Sequence, residues 1–293
     1  MNNKEIINDI TVTQTIKEIA ETYEEVSVMK IQKIRNSVLT TRDFMLRLSE
    51  IFAEVRYSYK EEIKALRKIK KLKNKQNTYS TLKKTKELAQ VLVTTNEHLV
   101  GDIPYKVFSS FIEDITKQKG DLIIIGSVGK GLIETIFGQN KKFYYFDLPP
   151  IGSGIKVIEK LIRVLIQYKN ITVYHGKFLN LVNQIQVKSN ILEDIEKTAK
   201  LNNTNNKEKK YLFEPSLEKI LNFFEIQIFA SLFRQSLDEA SLANLGSRIK
   251  SMEQATESAT ERIKTLKMLR IRFNKHLENK KQIQRLAGMT LWN

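Results

Sequence analysis

The chain has no cysteine among its 293 residues. That excludes a disulfide framework, a thiolate nucleophile and a cysteine-ligated metal, and it fits a reducing compartment. Residues 1–100 contain neither glycine nor proline. Nine of the eleven glycines lie between Gly101 and Gly176, leaving only Gly246 and Gly288 outside, and all four prolines lie between Pro104 and Pro215. Glycine and proline are the strongest local punctuation, so the pattern predicts two long terminal helices flanking a punctuated middle. Long apolar runs are missing as well. The clearest, Leu122–Ile125 and Phe143–Phe146, fall far short of the roughly 20 residues that span a bilayer. The amino terminus is polar and lacks the apolar core of a signal peptide. The expectation is a soluble chain, able to dock on a membrane complex.

Charge of one sign is in excess. Lys and Arg total 49 against 33 Asp and Glu, for a net charge of +16. Acidic partners such as nucleic acid, anionic lipid or an acidic protein would fit that balance. So would solvated helix faces in a chain rich in Lys, Asn and Ile.

Hydrophobic period is the main signal at both ends. Ile16, Ile19, Tyr23 and Val26 recur in steps of three and four, pass Lys30 and Ile34 to Val38, and resume at Met45, Leu48, Phe52 and Val55. The period is near 3.5, that of a coiled-coil strand. Leu242, Leu245, Ile249, Met252, Thr256, Ala259, Ile263, Leu266, Arg270, Phe273 and Leu277 repeat it more strictly. Glu214-Pro215-Ser216 marks a helix start. Gly246 is the one expected flexible point, and Thr256 and Arg270 are polar seam positions of the kind that set register. Residues 60–86 are strongly basic and read as a fraying helix end and link; 202–210, NNTNNKEKK, reads as a second link.

Between the links the pattern changes. Gln90–Thr95, Asp121–Ile125, Phe143–Leu148 and Ile171–His175 are short branched or aromatic runs of buried-strand type, with Gln184–Val187 a weaker one. Helical stretches at Tyr105–Lys119, Gly131–Phe137 and Ile155–Gln167 separate them. The alternation predicts a small α/β layer with a mostly parallel sheet.

Candidate chemistry is sparse. Gly126-Ser-Val-Gly129-Lys130-Gly131 follows a strand and opens a helix, where a phosphate could sit. It lacks the spacing and the Gly-Lys-Ser/Thr ending of a P-loop, and Gly152-Ser-Gly154 is equally incomplete as a dinucleotide fingerprint. A plain strand-to-helix turn is the expected reading of each. His98, His175 and His276 lie in separate segments without metal-ligand spacing. We find no catalytic constellation, and expect no cofactor, no metal and no enzymatic activity in the chain alone. Met289, Leu291 and the only tryptophan, Trp292, give the carboxyl end an apolar tip, read either as a disordered end or as a plug inserted into a partner.

The segment Arg248-Ile-Lys-Ser-Met252-Glu-Gln-Ala255-Thr256-Glu-Ser-Ala259 resembles, without a gap, the R-M-x-A-M-x-x-A-T-x-N-A of the gamma subunit, the central rotor shaft, of F-type ATP synthases. Phe273-Asn274-Lys275 falls where that family has Y-N-K. Ile19, Val26, Lys30 and Ile31 fit its amino-terminal pattern. Thr94-Thr95-Asn96-Glu97-His98-Leu99-Val100-Gly101 takes the place of T-S-D-R-G-L-C-G, and Ile125-Gly126-Ser-Val-Gly129 that of I-G-x-K-G. The chain departs from the family at Ala243-Asn244, where Ser-Glu is usual, and at Leu277-Glu278, where Arg-Gln is usual.

The resemblance implies an α/β, mostly α fold: a long antiparallel coiled coil of the terminal helices (1–60 and 206–293) plus a basic link and small Rossmann-like domain (61–205). It implies a non-catalytic shaft in the bore of an alpha/beta hexamer, with an epsilon-like subunit and a membrane rotor ring as further partners, at the cytoplasmic face of the membrane. The residues it points to for the bore are Ile19, Val26, Lys30, Arg248, Met252, Thr256, Phe273, Asn274, Met289, Leu291 and Trp292. A shaft for a related motor doing work other than proton transport, for instance motility, is the first alternative. A basic coiled-coil nucleic-acid-binding protein is the second, and a nucleotide-dependent α/β enzyme the third.

Overall fold

The computed structural model describes residues 2–59, 85–138, 141–149, 155–181, 183–191, 214 and 216–290. Residues 60–84 of the expected 60–86 link, the link at 202–210, the Gly152–Gly154 motif, and Leu291 and Trp292 lie outside the described residues, whereas Lys86, expected at the end of the first link, begins a strand. The elements run α1 (Asn3–Ser58), β1 (Lys86–Val93), α2 (Ile103–Lys117), β2 (Asp121–Ile125), α3 (Ser127–Phe137), β3 (Tyr144–Phe146), α4 (Ile155–Leu165), β4 (Tyr168–Phe178), β5 (Gln184–Asn190) and α5 (Leu217–Thr290). The chain forms two compact units, residues 30–247 and residues 1–29 with 248–293, and α1 and α5 contribute to both.

In the larger unit the strands form one sheet of order β3-β2-β1-β4-β5. β1, β2, β3 and β4 pair in parallel, in registers such as Val91↔Ile123 and Val91↔Val173, and β5 runs antiparallel to β4. Branched aliphatics dominate the inner strands because both faces are covered. One face packs Val91, Val93, Ile123, Ile125 and Val173 against α4 and against Phe229, Phe233 and Leu237 of α5. The other packs Leu92, Leu122, Ile124 and Tyr174 against Phe108 and Phe111 of α2 and Ile133 of α3. All five expected strands are present, and the mostly parallel arrangement is as the sequence predicts.

In the same unit α1 meets the start of α5 through Met45, Leu48, Phe52 and Val55 on one helix and Leu221 and Ile228 on the other, with Phe52 and Phe224 rings 5.6 Å apart. Ser216 caps α5: its hydroxyl accepts from the Lys219 amide at 3.4 Å, a long N-cap bond at the helix start read from the sequence.

In the smaller unit Ile6 and Ile10 of α1 pack with Leu266 and Phe273 of α5, while Tyr23 lies under the Arg248 guanidinium. Early residues of α1 meet late residues of α5, so the helices are antiparallel. The α5 seam follows the expected residues from Leu245 through Ile249, Met252, Ala259 and Ile263 to Leu266, all buried. Leu242, Thr256 and Phe273 are half-buried, whereas Arg270 and Leu277 are exposed.

The α1 seam corrects the expected one. Ile16, Ile19 and Tyr23 are exposed. The covered stripe is Ile6, Ile10, Thr13, Lys17, Ala20, Glu24, Ser27, Ile31 and Ile34, each buried or half-buried. It keeps the three-four spacing but is built largely from small and polar side chains. Ser27 manages its burial by donating to the Tyr23 carbonyl at 2.7 Å. From Val38 to Val55 the expected and observed seams coincide.

Gly246 corrects a second expectation. The helix runs through it without a break. A Cβ there would lie 2.8 Å from Gln184 Nε2 and 3.0 Å from Phe178 Cε2. It is a point of close packing between helix and sheet rather than a point of flexibility.

Candidate partner-binding surface

The surface with most to offer a partner lies on the paired helices of the smaller unit. Val12, Ile16, Ile19 and Tyr23 are spaced by four, three and four, and all are 41–52% exposed. They form a second heptad stripe on α1, beside the one that packs against α5. Met268, Leu269, Ile271, Leu277, Ile283 and Leu286 are exposed on α5. Apolar side chains aligned on a helix and left in water mark an interaction surface.

The two helices also differ in charge. Residues 1–29 carry two lysines and six carboxylates, whereas residues 262–285 carry nine lysines and arginines and one glutamate. The helix ends of this unit therefore carry opposite charge: α1 is acidic beside its apolar stripe, and α5 is basic. Lys17 and Glu21 pair along α1 at 3.5 Å, but both are only half-buried, so the pair contributes little to stability.

The expected bore residues separate by environment. Ile19 is exposed; Val26 and Asn274 are half-buried. Lys30 is half-buried and bonds Glu97 Oε1 at 2.6 Å. Arg248 and Met252 are buried. Arg248 stacks on the Tyr23 ring with 5.9 Å between guanidinium carbon and ring centre. Phe273 packs on the Ile6–Ile10–Leu266 cluster. Thr256 is half-buried with no hydrogen-bond partner for its hydroxyl. Met289 lies in the last residues of α5, its side chain outside the described set. Sequence reasoning missed Val12 and Ile16 as outward residues. The signal was present, because Val12, Ile16, Ile19 and Tyr23 keep one period while a second, more polar stripe keeps another.

The glycine turn at Gly126 is closed to ligands. Gly126 has φ 100°, where only glycine is at ease, and a Cβ would stand 2.6 Å from Thr94 Oγ1. The Ser127 amide donates to Asn96 Oδ1 at 3.2 Å, the Val128 amide to the Thr95 carbonyl at 3.1 Å, and the Gly129 amide to Thr94 Oγ1 at 3.0 Å. The donors a phosphate would need are already used inside the protein. The turn is a strand-to-helix connection, as expected.

Of the histidines, His98 and His276 are exposed and His175 is buried. His175 Nδ1 lies 3.1 Å from the Gly176 carbonyl and Nε2 3.3 Å from Ser189 Oγ. Burial pushes its pKa below the usual imidazole range. Among the described residues no three metal-ligating side chains gather, and no described helix is long and apolar enough to cross a membrane.

The architecture has known counterparts. The family model described as ATP synthase matches residues 2–275. The ATP synthase gamma chain of Fusobacterium nucleatum is 24% identical over 94% of this chain and 93% of its own length. That of Buchnera aphidicola is 27% identical, covering 91% and 90% respectively. Among solved structures, a chain of the Euglena gracilis mitochondrial ATP synthase rotor shares the fold, with a TM-score of 0.60 at 14% identity over 94% of this chain and 98% of that one. Antiparallel terminal helices, a five-stranded mixed sheet between them and a family match along almost the whole length have one reading: the chain belongs to the ATP synthase gamma-chain family.

Proposed function

We propose that the chain is the central-stalk shaft of an F-type rotary ATPase. It couples ATP turnover in a hexamer of alpha and beta subunits to rotation, and normally to proton transport. The observation that carries this reading is the family match over residues 2–275 on a chain whose terminal helices pair antiparallel. Chemistry belongs to the hexamer. In this reading the chain is non-catalytic, and the closed Gly126 turn supports that. The relatives matched are ATP synthase gamma chains, which favours a synthase shaft over a nucleic-acid-binding coil or a motor for other work.

The mechanism follows from asymmetry. A shaft with an acidic, apolar α1 face and a basic α5 face presents a different surface to each catalytic subunit. Turning it biases each site among its conformers by differential binding. Ile19, Val26, Lys30, Asn274 and the apolar tip Met289, Leu291 and Trp292 are the proposed contacts. Arg248, Met252, Thr256 and Phe273 act from within the pair, fixing which side chains face outward. The division into a helix at 1–60, a link and sheet domain at 61–205 and a helix at 206–293 is proposed for the functional parts. An epsilon-like subunit and a membrane rotor ring are the proposed partners at the other end, placing the complex on the cytoplasmic face of the membrane.

The test is assembly. Tagged chain should bring down two P-loop ATPase chains, and replacing Ile16 and Ile19 together by aspartate should weaken that recovery. Trp292 fluorescence should shift to the blue on assembly. Recovery of no ATPase chains overturns the reading.

A further inference from the structure

The loop between β1 and α2, residues 94–102, touches both long helices. Glu97 Oε1 accepts from Lys30 Nζ of α1 at 2.6 Å. Asp102 Oδ1 accepts from Ser247 Oγ of α5 at 3.2 Å. Lys30 and Ser247 are the first and last residues of the larger unit. The loop is braced from behind. Asn96 Oδ1 accepts the amides of Ser127 and Leu148, and its Nδ2 donates to the Leu148 carbonyl at 3.0 Å. Its shape is held in spite of local cost: Leu99 has φ 58°, a left-handed conformation that leucine rarely adopts, and Gly101 follows at φ 76°.

Beside the loop α5 lies flush on the sheet. Ala243, Asn244, Leu245 and Ser247 are all buried to 6% exposure or less. A Cβ on Gly176 of β4 would stand 2.8 Å from Ala243 Cβ and 2.8 Å from Ile103 Cγ2. Gly246 makes the matching approach from the helix side, against Phe178 and Gln184. Glycine on both surfaces lets helix and sheet approach closely, with neighbouring side chains filling the space a Cβ would need. Close-packed surfaces of this kind hold discrete positions and do not slide freely.

We propose that this loop and glycine seat form a collar that fixes the rotational setting of the adjoining α1 and α5 segments of the larger unit against its sheet, so that torque reaching those segments passes to the sheet without slip. The proposal rests on the shaft reading above. The two parts do unequal work. The Lys30–Glu97 pair is 35% and 49% exposed, so it orients α1 more than it binds it. The Gly176–Ala243 contact is buried and carries the grip. Gly176, Gly246, Asp102 and Ser247 are therefore positioning residues: none faces a nucleotide site, and each acts through the helix it seats.

The test uses the assembled complex with a bead fixed to the sheet domain and the hexamer fixed to a surface. Gly176→Val overfills the seat and raises the population of an unseated helix. ATP hydrolysis should stay close to that of the unaltered complex, while torque on the bead falls roughly twofold and its angular fluctuation broadens. Gly176→Ala should lie between. If Gly176→Val does not assemble, Ser247→Ala combined with Asp102→Asn, which leaves the packing volume nearly unchanged, should show the same broadening to a smaller degree. Unchanged torque and fluctuation in every variant that assembles overturns the collar and leaves the shaft reading standing. A complex with the unaltered chain that hydrolyses ATP but never turns the bead overturns both.

Discussion

The two compact units solve the burial problem differently. In the larger unit the sheet is covered on both faces by large apolar side chains, with Phe111, Phe233, Ile123 and Val173 fully buried. In the smaller unit the buried apolar cluster is Ile6, Ile10 and Leu266, and the α1 stripe facing α5 includes Thr13, Lys17, Ala20, Glu24 and Ser27. At the same place the larger apolar residues Val12, Ile16 and Ile19 point to water. Hydrophobic stabilisation scales with the apolar area removed from water, so the sheet unit stabilises itself, while the paired helices keep part of their apolar area uncovered. In the proposed shaft, that uncovered area is what a partner would bury.

The comparison breaks most visibly at Phe233. Its truncation in Phe233→Ala should cost about 3–5 kcal/mol, read by urea denaturation of the isolated chain. A loss close to zero would mean that the sheet core is not the stabilising part. Gly126→Ala is next: the strained backbone and the approach to Thr94 should cost about 1–3 kcal/mol by the same measurement, with no change in nucleotide affinity expected because the turn amides are already engaged within the protein.

Acid sensitivity separates the units by another route. Burial lowers the pKa of His175 in the folded state, so folding favours the neutral ring. Its contribution is fully present above the unfolded imidazole pKa of about 6.5 and is lost progressively as pH falls below it. The sheet domain should weaken over that window, and His175→Gln should flatten the dependence. An unaltered slope would assign the acid sensitivity elsewhere.

The smaller effects sharpen the contrast. Thr256 carries an unpartnered hydroxyl on the α5 seam. Thr256→Val should therefore raise the stability of the helix pair by about 1 kcal/mol, seen as slower amide exchange around it. Ile16→Ala should change the isolated chain by less than about 0.5 kcal/mol, as expected for an exposed site, yet weaken recovery of the ATPase partners. Equal effects on folding and on assembly would contradict the outward placement of that stripe.

Much of this was readable from residue order. The strands stand out because doubly covered parallel strands need unbroken branched runs, as Asp121–Ile125 shows. The α5 seam was readable because its buried positions are also its apolar ones. The amino-terminal half of the α1 seam was not, because two stripes share one period there and the more apolar one faces outward. Periodicity reports where apolar residues align, not what covers them. Gly246 misled for a related reason: glycine signals freedom when its neighbourhood is empty and close approach when it is full, and only the fold distinguishes the two. For the candidate surface, Ile19 was legible as a residue of interest, but the separation of buried Arg248 and Met252 from exposed Ile16 depended on the pairing.

The outward stripe Val12–Ile16–Ile19–Tyr23 also bears on how the cell must handle this polypeptide. A copy made without its partners carries an aligned apolar strip that is free to meet another copy, a nascent chain or a chaperone. If the proposed hexamer covers the strip, synthesis in step with its subunits, or prompt removal of the surplus by proteolysis, follows as a requirement. An overproduced lone chain should self-associate through α1, and a polar substitution at Ile16 should keep it dispersed.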